Sequence, residues 1–264
     1  QRDTGWIQLY CENNQEVLDT TIQAFRLAES VNLPVMIVLD AFFLSHTSEP
    51  VDIPEPAEVD TFLPRRDAPL KLDVKEPRAF GSLTRPEVYM EMRLRQQEAM
   101  EGSIAALEAI DAEWGRRFGR RWGAIECDRT EDADTVLVTS GTITSTARTV
   151  VDERRARGER VGLVKVKMFR PFPTGLLRAA LAGVRRVAVL DRNISPGHGG
   201  IFAEELRSAL YDLEPARRPS VDGFIVGLGG RDVTPRVIAE CLDRAAPETA
   251  GANAREDLWV GVKP

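Results

Sequence analysis

The sequence is poor in cysteine. Its three cysteines, Cys11, Cys127 and Cys241, lie more than a hundred residues apart along 264 residues. This spacing excludes a C-x-x-C cluster and gives no disulfide framework, which favours a reducing cytoplasm as the compartment. Iron–sulfur clusters are usually held by four thiolates, so this chain alone does not supply the ligands for one.

An excess of basic charge and long apolar runs are also missing. Lys and Arg number 35 against 41 Asp and Glu, for a formal net charge of −6. Basic and acidic residues are interspersed, which argues against nucleic acid as the main partner. The longest apolar stretches, such as residues 33–39, are too short to cross a bilayer, and we expect no membrane partner.

The sequence has no H-E-x-x-H, no G-x-S-x-G and no paired His/Cys set. It therefore predicts no metal site and no self-sufficient catalytic constellation.

The first part of the sequence opens with one crossover unit of a parallel sheet. We predict a strand over residues 6–10, then a helix capped by Asn13 or Asn14 and running to residue 31. The continuous apolar run 35–39 predicts a strand covered on both faces. Seven prolines between positions 50 and 86 forbid long regular elements there. Pro86 favours the start of a long helix over residues 87–118.

An alternating strand–helix pattern follows from about Asp132. Strands are predicted at 135–139, 161–167, 187–190 and 224–226, each followed by a helix, at 142–157, 176–182, 201–211 and 235–245. Residues 259–262 add an edge strand. Four such units form a small open α/β domain, with ligands expected at the carboxyl ends of its strands. We therefore predict two domains, 1–126 and 127–264.

Three side chains are candidates for chemistry. Arg2 offers a planar guanidinium that can hold a carboxylate in two parallel hydrogen bonds, although a solvated arginine gives the same pattern. His46 follows the strand 35–39 and could move a proton, but bonding within its own loop is the favoured interpretation. Arg170 could meet an acidic partner or a phosphate, or pair locally, and both alternatives stay open.

Two glycine-rich turns precede helices. They are Gly197-His198-Gly199-Gly200 and Gly227-Leu228-Gly229-Gly230. Backbone amides at such turns can bind an anion. The spacing, however, matches neither G-x-G-x-x-G nor a P-loop, and we favour tight strand–helix turns.

Taken together, several stretches resemble the α subunit of pyruvate and related 2-oxoacid:ferredoxin oxidoreductases. They span nearly the whole chain and are specific as a set. The matching stretches are Arg2-Asp-Thr-Gly-Trp-Ile-Gln-Leu-Tyr10, Leu33-Pro-Val-Met36 to Asp40, Leu44-Ser-His-Thr47 with Glu49-Pro-Val51, Gln96-Gln-Glu-Ala-Met100, Phe169-Arg-Pro-Phe-Pro173 and Leu190-Asp-Arg-Asn193.

The resemblance implies an α/β fold in two parts. Residues 1–126 would be the C-terminal part of a pyrimidine-type thiamine-diphosphate-binding domain, and residues 127–264 an open α/β domain like the C-terminal domain of transketolase. The arginine of the family's Arg-x-Thr-Gly motif matches Arg2 and binds the substrate carboxylate. The family's thiamine-contacting glutamate and substrate-contacting threonine precede that motif. Cofactor-binding residues are therefore expected before residue 1, and we interpret the chain as an α subunit without its N-terminal segment.

The resemblance also implies a reaction and its partners. The reaction is the reversible oxidative decarboxylation of a 2-oxoacid, pyruvate first, with coenzyme A to acyl-CoA, CO2 and reduced ferredoxin. Thiamine diphosphate would be shared with a partner chain that holds Mg, and iron–sulfur clusters would lie in partner chains only. The implied partners are β, γ and δ-type subunits, with ferredoxin or flavodoxin as electron acceptor.

Alternatives remain within and outside this family. A branched-chain 2-oxoacid or oxalate enzyme is the nearest alternative. A non-catalytic assembly module and a nucleotide-binding regulatory domain using the turn 197–200 are the others. Where the family usually has glycine, this chain has Ala41. If that position needs a positive φ, we expect a strain of about 1 kcal/mol or a different turn.

Overall fold

A three-stranded sheet organises the first part of the molecule. The structure is a computed structural model that describes residues 1–68, 70–81, 83–245 and 257–263. Strand β1 (Ile7–Tyr10) pairs in parallel with β2 (Val35–Val38). Helix α1 (Asn14–Val31) connects these two strands, and the side chain of Asn13 caps it by accepting a hydrogen bond from the backbone of Glu16. The expected crossover unit is thus present.

Two further helices cover this sheet. Helix α2 (Pro56–Phe62) is a short element within the proline-rich segment, and α3 (Pro86–Phe118) has 33 residues, about 50 Å at 1.5 Å per residue. Its C-terminal half packs on α1 and buries Leu107 and Trp114. Its N-terminal half is exposed from residue 86 to 98 apart from the partly buried Gln96.

A six-stranded sheet forms the second part. Its strands are β3 (Ile125–Asp128), β4 (Thr135–Thr139), β5 (Val161–Val166), β7 (Arg186–Asp191), β8 (Ser220–Ile225) and β9 (Leu258–Trp259). They lie in the order β3-β5-β4-β7-β8-β9. All neighbours are parallel except β3 with β5. The carboxyl ends of the parallel strands therefore share one edge, as expected.

Helices cover both faces of the larger sheet. Helices α4 (Ile143–Ala156) and α7 (Pro235–Arg244) contact each other, and α5 (Thr174–Leu181) contacts α6 (Ile201–Leu210). Each pair encloses its own apolar core, one around Leu137 and Phe224 and the other around Val138 and Leu206. The predicted α/β fold is confirmed.

Three strands differ from the sequence-based expectation. β2 is only partly buried and lies at the edge of the described sheet, so its predicted burial on both faces is wrong. β3 was not predicted and crosses the expected domain boundary. The run 161–167 continues into β6 (Met168–Arg170), which leaves the larger sheet and pairs antiparallel with β1. Through β6, the later part of the chain completes the first sheet.

No described helix is both long and apolar enough to span a membrane.

Candidate functional site

Arg2 lies in the turn before β1, beside α6. Its Nε donates a hydrogen bond to Asp3 at 3.1 Å, and its Nη1 lies 3.9 Å from Glu205 Oε1 on α6. The buried amide of Gln8 donates to the carbonyl oxygens of Gln1 and Arg2 and fixes this turn. The side chain of Arg2 is 32% exposed. It therefore lies between the two parts of the molecule and keeps access to solvent.

Arg170 joins the same site from the end of β6. Its Nη2 lies 2.5 Å from Glu205 Oε1 and 3.5 Å from Asp3 Oδ1. Of the two alternatives for Arg170, the structure shows local pairing. Arg2, Asp3, Arg170 and Glu205 alternate in charge, and we call them the Arg2 cluster. Glu205 had no sequence signal, because an acidic residue on an amphipathic helix predicts only a solvated face.

The charges of the cluster support one another. The hydrogen bond from Arg2 to Asp3 raises the pKa of the arginine, although partial burial opposes the shift. Burial alone would raise the pKa of Asp3, but the bond from Arg2 and the charges of Arg2 and Arg170 lower it below its usual value. Both shifts favour the charged forms of Arg2 and Asp3. Within the described residues, no acceptor lies within hydrogen-bond distance of the two terminal nitrogens of Arg2.

An open groove adjoins the cluster. It has a volume of about 600 Å³ and separates the turn at Asp3 and Gly5 from the exposed half of α3. The α3 side chains along it combine long polar, thioether and aliphatic groups: Met90, Arg93, Leu94, Gln96, Gln97 and Met100. An added Cβ on Gly5 would lie 2.4 Å from Gln96 Nε2, so glycine permits the close approach of turn and helix there.

Asp40 connects the end of β2 to the second part of the chain. Its Oδ2 accepts hydrogen bonds from the backbone nitrogen and the hydroxyl of Thr142, at 2.8 and 2.5 Å, at the start of α4. The same oxygen lies 3.0 Å from Arg192 Nη1. A carboxylate of the first part thus occupies the positive end of a helix in the second. We call these three residues the Asp40 clamp.

The turn after Asp40 does not place Ala41 at a positive φ, the condition under which strain was expected there. Ala41 is not among the positive-φ residues, whereas Phe42 has a φ of 65°. The strain considered for Ala41 is therefore not present, and the left-handed position is one residue later. His46 stacks on Phe42 with ring centroids 4.6 Å apart, and its Nδ1 lies 2.7 Å from Ser45 Oγ. The favoured interpretation of His46, bonding within its own loop, agrees with these contacts.

The glycine-rich turn before α6 is filled by the chain's own side chains. Asp191 accepts from the backbone nitrogens of Phe202 and Ala203 at 2.9 and 3.0 Å. Asn193 and Asp257 accept from the two preceding amides, those of Ile201 and Gly200. The amides that would bind a phosphate are thus occupied, and acidic groups would repel one. This arrangement disfavours the nucleotide-binding alternative.

Asp191 has an unusual environment. Burial raises the pKa of its carboxyl to about 7, with the nearby charge of Asp257 adding to the shift and the bonds from the α6 amides opposing it. The carboxylate side chain lies so close to Gly200 that a Cβ there would overlap it. Asp191 therefore shapes the turn rather than facing a ligand.

A buried ion network joins α1 to the larger sheet. Lys165 Nζ lies 3.1 Å from Glu12, 3.3 Å from Glu16 and 3.1 Å from Glu126. Arg148 binds Glu12 at 3.0 Å by two nitrogens and Glu126 at 2.8 Å, and Lys167 lies 3.1 Å from Glu16. The network has three acids and three bases, namely Glu12, Glu16, Glu126, Arg148, Lys165 and Lys167. The sequence signal was available, because two lysines at alternate positions of an apolar strand require buried partners.

The described residues show no metal site, and the starts of α4 and α6 are not open to a diphosphate. They contain no group of three or more His, Cys, Asp or Glu side chains placed to hold a metal ion. Cys11 and Cys241 are buried, and burial raises the pKa of their thiols to about 11 and about 12. The starts of α4 and α6 are already bonded to carboxylates. Thiamine diphosphate with its divalent cation therefore does not fit these residues alone.

Two family models match the chain. Residues 1–110 match the model described as pyruvate flavodoxin/ferredoxin oxidoreductase, thiamine diphosphate-binding, and residues 133–238 match pyruvate:ferredoxin oxidoreductase core domain II. Curated relatives align along the whole chain. The pyruvate synthase subunit PorA of Methanothermobacter thermautotrophicus is 44% identical, and that of Thermotoga maritima 43%. The chain belongs to the pyruvate:ferredoxin oxidoreductase family.

A second kind of relative and one solved structure are also similar to this chain. The ketoisovalerate oxidoreductase subunit VorA of Pyrococcus horikoshii is 42% identical over the whole chain. The chain spans 66–67% of the length of these family relatives. A 2-oxoglutarate:ferredoxin oxidoreductase from Magnetococcus marinus shares the fold, with a TM-score of 0.58 over 91% of this chain and 42% of that chain. At 15% identity this likeness concerns the fold alone.

Proposed function

We propose that the chain is the carboxylate-binding part of an α subunit of a 2-oxoacid:ferredoxin oxidoreductase, with pyruvate as substrate. The observation that supports this role is the geometry of Arg2. Asp3 holds the guanidinium at Nε, while the terminal nitrogens make no hydrogen bond within the described residues and the side chain is 32% exposed. A guanidinium presented in this way matches the two oxygens of a carboxylate.

The proposed reaction is the reversible conversion of pyruvate and coenzyme A to acetyl-CoA and CO2, with transfer of electrons to ferredoxin or flavodoxin. Thiamine diphosphate, when bound, supplies the carbanion chemistry. The contribution of Arg2 is to fix the orientation of the carboxylate that leaves as CO2. Positioning of this kind can lower a barrier by several kcal/mol. We expect orientation to matter more than affinity, since equal binding of ground and transition states does not raise kcat.

We further propose that the chain works within a complex of β, γ and δ-type subunits in the cytoplasm. These partners would hold Mg, complete the thiamine diphosphate site and carry the iron–sulfur clusters. The exposed half of α3 and the preceding segment support an assembly. Apolar side chains there are largely uncovered in the monomer, including Leu72 at 83%, Val74 at 98%, Leu83 at 91% and Met90 at 79% exposure. Exposed apolar surface of this extent is typical of an interaction site.

A branched-chain 2-oxoacid is the second candidate substrate. The observation that favours it is the nearly equal identity to a ketoisovalerate subunit, 42%, and to pyruvate synthase subunits, 43–44%. The carboxylate is common to both substrates, so the role of Arg2 is the same in either case. Kinetics of the complex with pyruvate and with 3-methyl-2-oxobutanoate separate them, because the true substrate gives the higher kcat/KM.

The role of Arg2 is tested by Arg2→Ala and Arg2→Lys in the full complex. We expect Arg2→Ala to lower kcat/KM for pyruvate-dependent ferredoxin reduction by about a hundredfold, since a charge-assisted bidentate contact is lost. Arg2→Lys should recover only part of the loss, because an ammonium does not form the two parallel bonds. The control is Arg65→Ala, at an exposed arginine of the proline-rich segment. Near-normal activity of Arg2→Ala would remove this residue from the site.

A further inference from the structure

One oxygen of Glu205 lies between two guanidinium groups. Glu205 Oε1 is 2.5 Å from Arg170 Nη2 and 3.9 Å from Arg2 Nη1. The shorter contact is a charge-assisted hydrogen bond, whereas the longer one lies beyond hydrogen-bond distance. Glu205 is thus hydrogen-bonded to Arg170, whereas its contact with Arg2 is a longer ion pair without a hydrogen bond.

We propose that Arg170 is a positioning residue, which holds Glu205 away from Arg2 and leaves the terminal nitrogens of Arg2 to the carboxylate of the 2-oxoacid. This inference rests on the proposed role of Arg2. Arg170 does not touch the substrate in this account. It acts by retaining a carboxylate that would otherwise compete with the substrate for the same guanidinium.

Arg170 is itself held firmly. It ends β6, and its side chain is 16% exposed. Its Nη1 donates to the carbonyl of Phe169 at 3.1 Å, and its guanidinium lies 4.4 Å from the centroid of the buried Phe169 ring. Arg2 lies in a turn and is twice as exposed, at 32%. The better fixed of the two guanidinium groups therefore holds Glu205.

Without Arg170, the remaining ion-pair partner of Glu205 in the described part of the chain is Arg2. A move of about 1 Å would bring its carboxylate from 3.9 Å to the hydrogen-bond distance of Arg2. The substrate would then have to displace an intramolecular carboxylate. The expected consequence is weaker substrate binding, with little change in the rate of the bound complex.

Asp3 provides the matched control, because it is the other acid of the cluster. It also contacts Arg170, at 3.5 Å, but it is bonded to Nε of Arg2 rather than to a terminal nitrogen. Replacement of Asp3 changes the net charge of the cluster as replacement of Glu205 does. Only Glu205, however, can occupy the terminal nitrogens in this account.

The experiment uses the full complex with the variants Arg170→Gln, Glu205→Gln, their combination, and Arg170→Gln combined with Asp3→Asn. KM and kcat are measured with the 2-oxoacid, and Kd is measured by calorimetry with oxamate, an unreactive carboxylate analogue. We expect Arg170→Gln to raise KM and Kd about tenfold, which corresponds to about 1.4 kcal/mol, with kcat within about threefold. Adding Glu205→Gln should return both constants to within about threefold of wild type. Adding Asp3→Asn should not.

Each other outcome contradicts a stated part of the account. A normal KM in Arg170→Gln, or failure of Glu205→Gln to restore it, would overturn the positioning role. Equal restoration by Asp3→Asn would indicate a general charge effect and overturn it as well. If Arg170→Gln does not assemble, Arg170→Lys decides, with an expected KM about threefold above wild type and a wild-type KM as the contradicting result. A wild-type kcat/KM in the Arg2→Ala variant would instead contradict the proposed function itself.

Discussion

Lys165→Met should be among the most destabilising single replacements in this chain. The ammonium is 1% exposed and lies 3.1–3.3 Å from carboxylate oxygens of Glu12, Glu16 and Glu126. Burial disfavours the charged lysine, but the three carboxylates outweigh it and raise its pKa. Methionine fills a similar volume without charge and leaves three acids facing two bases. Breaking a buried ion pair in this way costs about 3–5 kcal/mol.

The assay is equilibrium unfolding of the full chain in urea near pH 7. The control is Lys71→Met, whose lysine is 53% exposed and paired with Asp67 at 2.7 Å, where we expect a loss below about 0.5 kcal/mol. Combining Lys165→Met with Glu16→Gln restores the balance of charges and should cost less than the sum of the two single changes. A loss below about 1 kcal/mol for Lys165→Met would refute the reasoning.

Two further predictions concern the second part of the chain. Asp191→Asn should change the pH dependence of stability. The carboxyl of Asp191 has a pKa of about 7 in the folded protein and 3.8 in the unfolded chain. Between these pH values the folded protein binds a proton that the unfolded chain does not bind. The stability of wild type therefore falls as the pH rises from 3.8 to 7. Wild type should therefore lose about 2 kcal/mol more than Asp191→Asn between pH 5 and pH 8 in urea unfolding; parallel profiles would contradict this. Gly141→Ala should cost more than Gly158→Ala. Both glycines have positive φ, 69° and 84°, but only at Gly141 would the new Cβ meet another group, 2.8 Å from Asp40 Oδ2. We expect about 1 kcal/mol for Gly158→Ala and at least 2 for Gly141→Ala, measured as shifts of the urea midpoint; equal losses would exclude the contact with Asp40.

Local signals predicted most of the fold. Asn13 or Asn14 and Pro86 predicted the starts of α1 and α3, and the predicted strands 135–139 and 161–167 correspond to β4 and β5. What local patterns did not contain was pairing between distant segments. β6 follows β5 after a single residue, yet its partner is β1. The edge position of β2 likewise depends on which strands surround it, not on its own composition.

In the candidate site, too, the sequence predicted single residues but not the contacts between distant residues. Arg2 stood out through the Arg-x-Thr-Gly motif, but Asp3 and Glu205 became part of its surroundings only in the folded chain. For Arg170 the sequence leaves an acidic partner, a phosphate and local pairing open, and only the fold shows that Glu205 and Asp3 are its contacts. Since Glu205 is more than 200 residues from Arg2, no spacing rule relates the two. Residue chemistry predicted the kind of group present, and topology decided which groups meet.

Binding of the substrate carboxylate by Arg2 is the proposal on which the suggested function depends. The most direct test is a structure of the assembled complex with a bound 2-oxoacid or with oxamate. The account predicts both carboxylate oxygens within about 3 Å of the guanidinium nitrogens of Arg2, with Glu205 still bonded to Arg170. A ligand whose carboxylate binds elsewhere, while Arg2 keeps only its contact with Asp3, would contradict it.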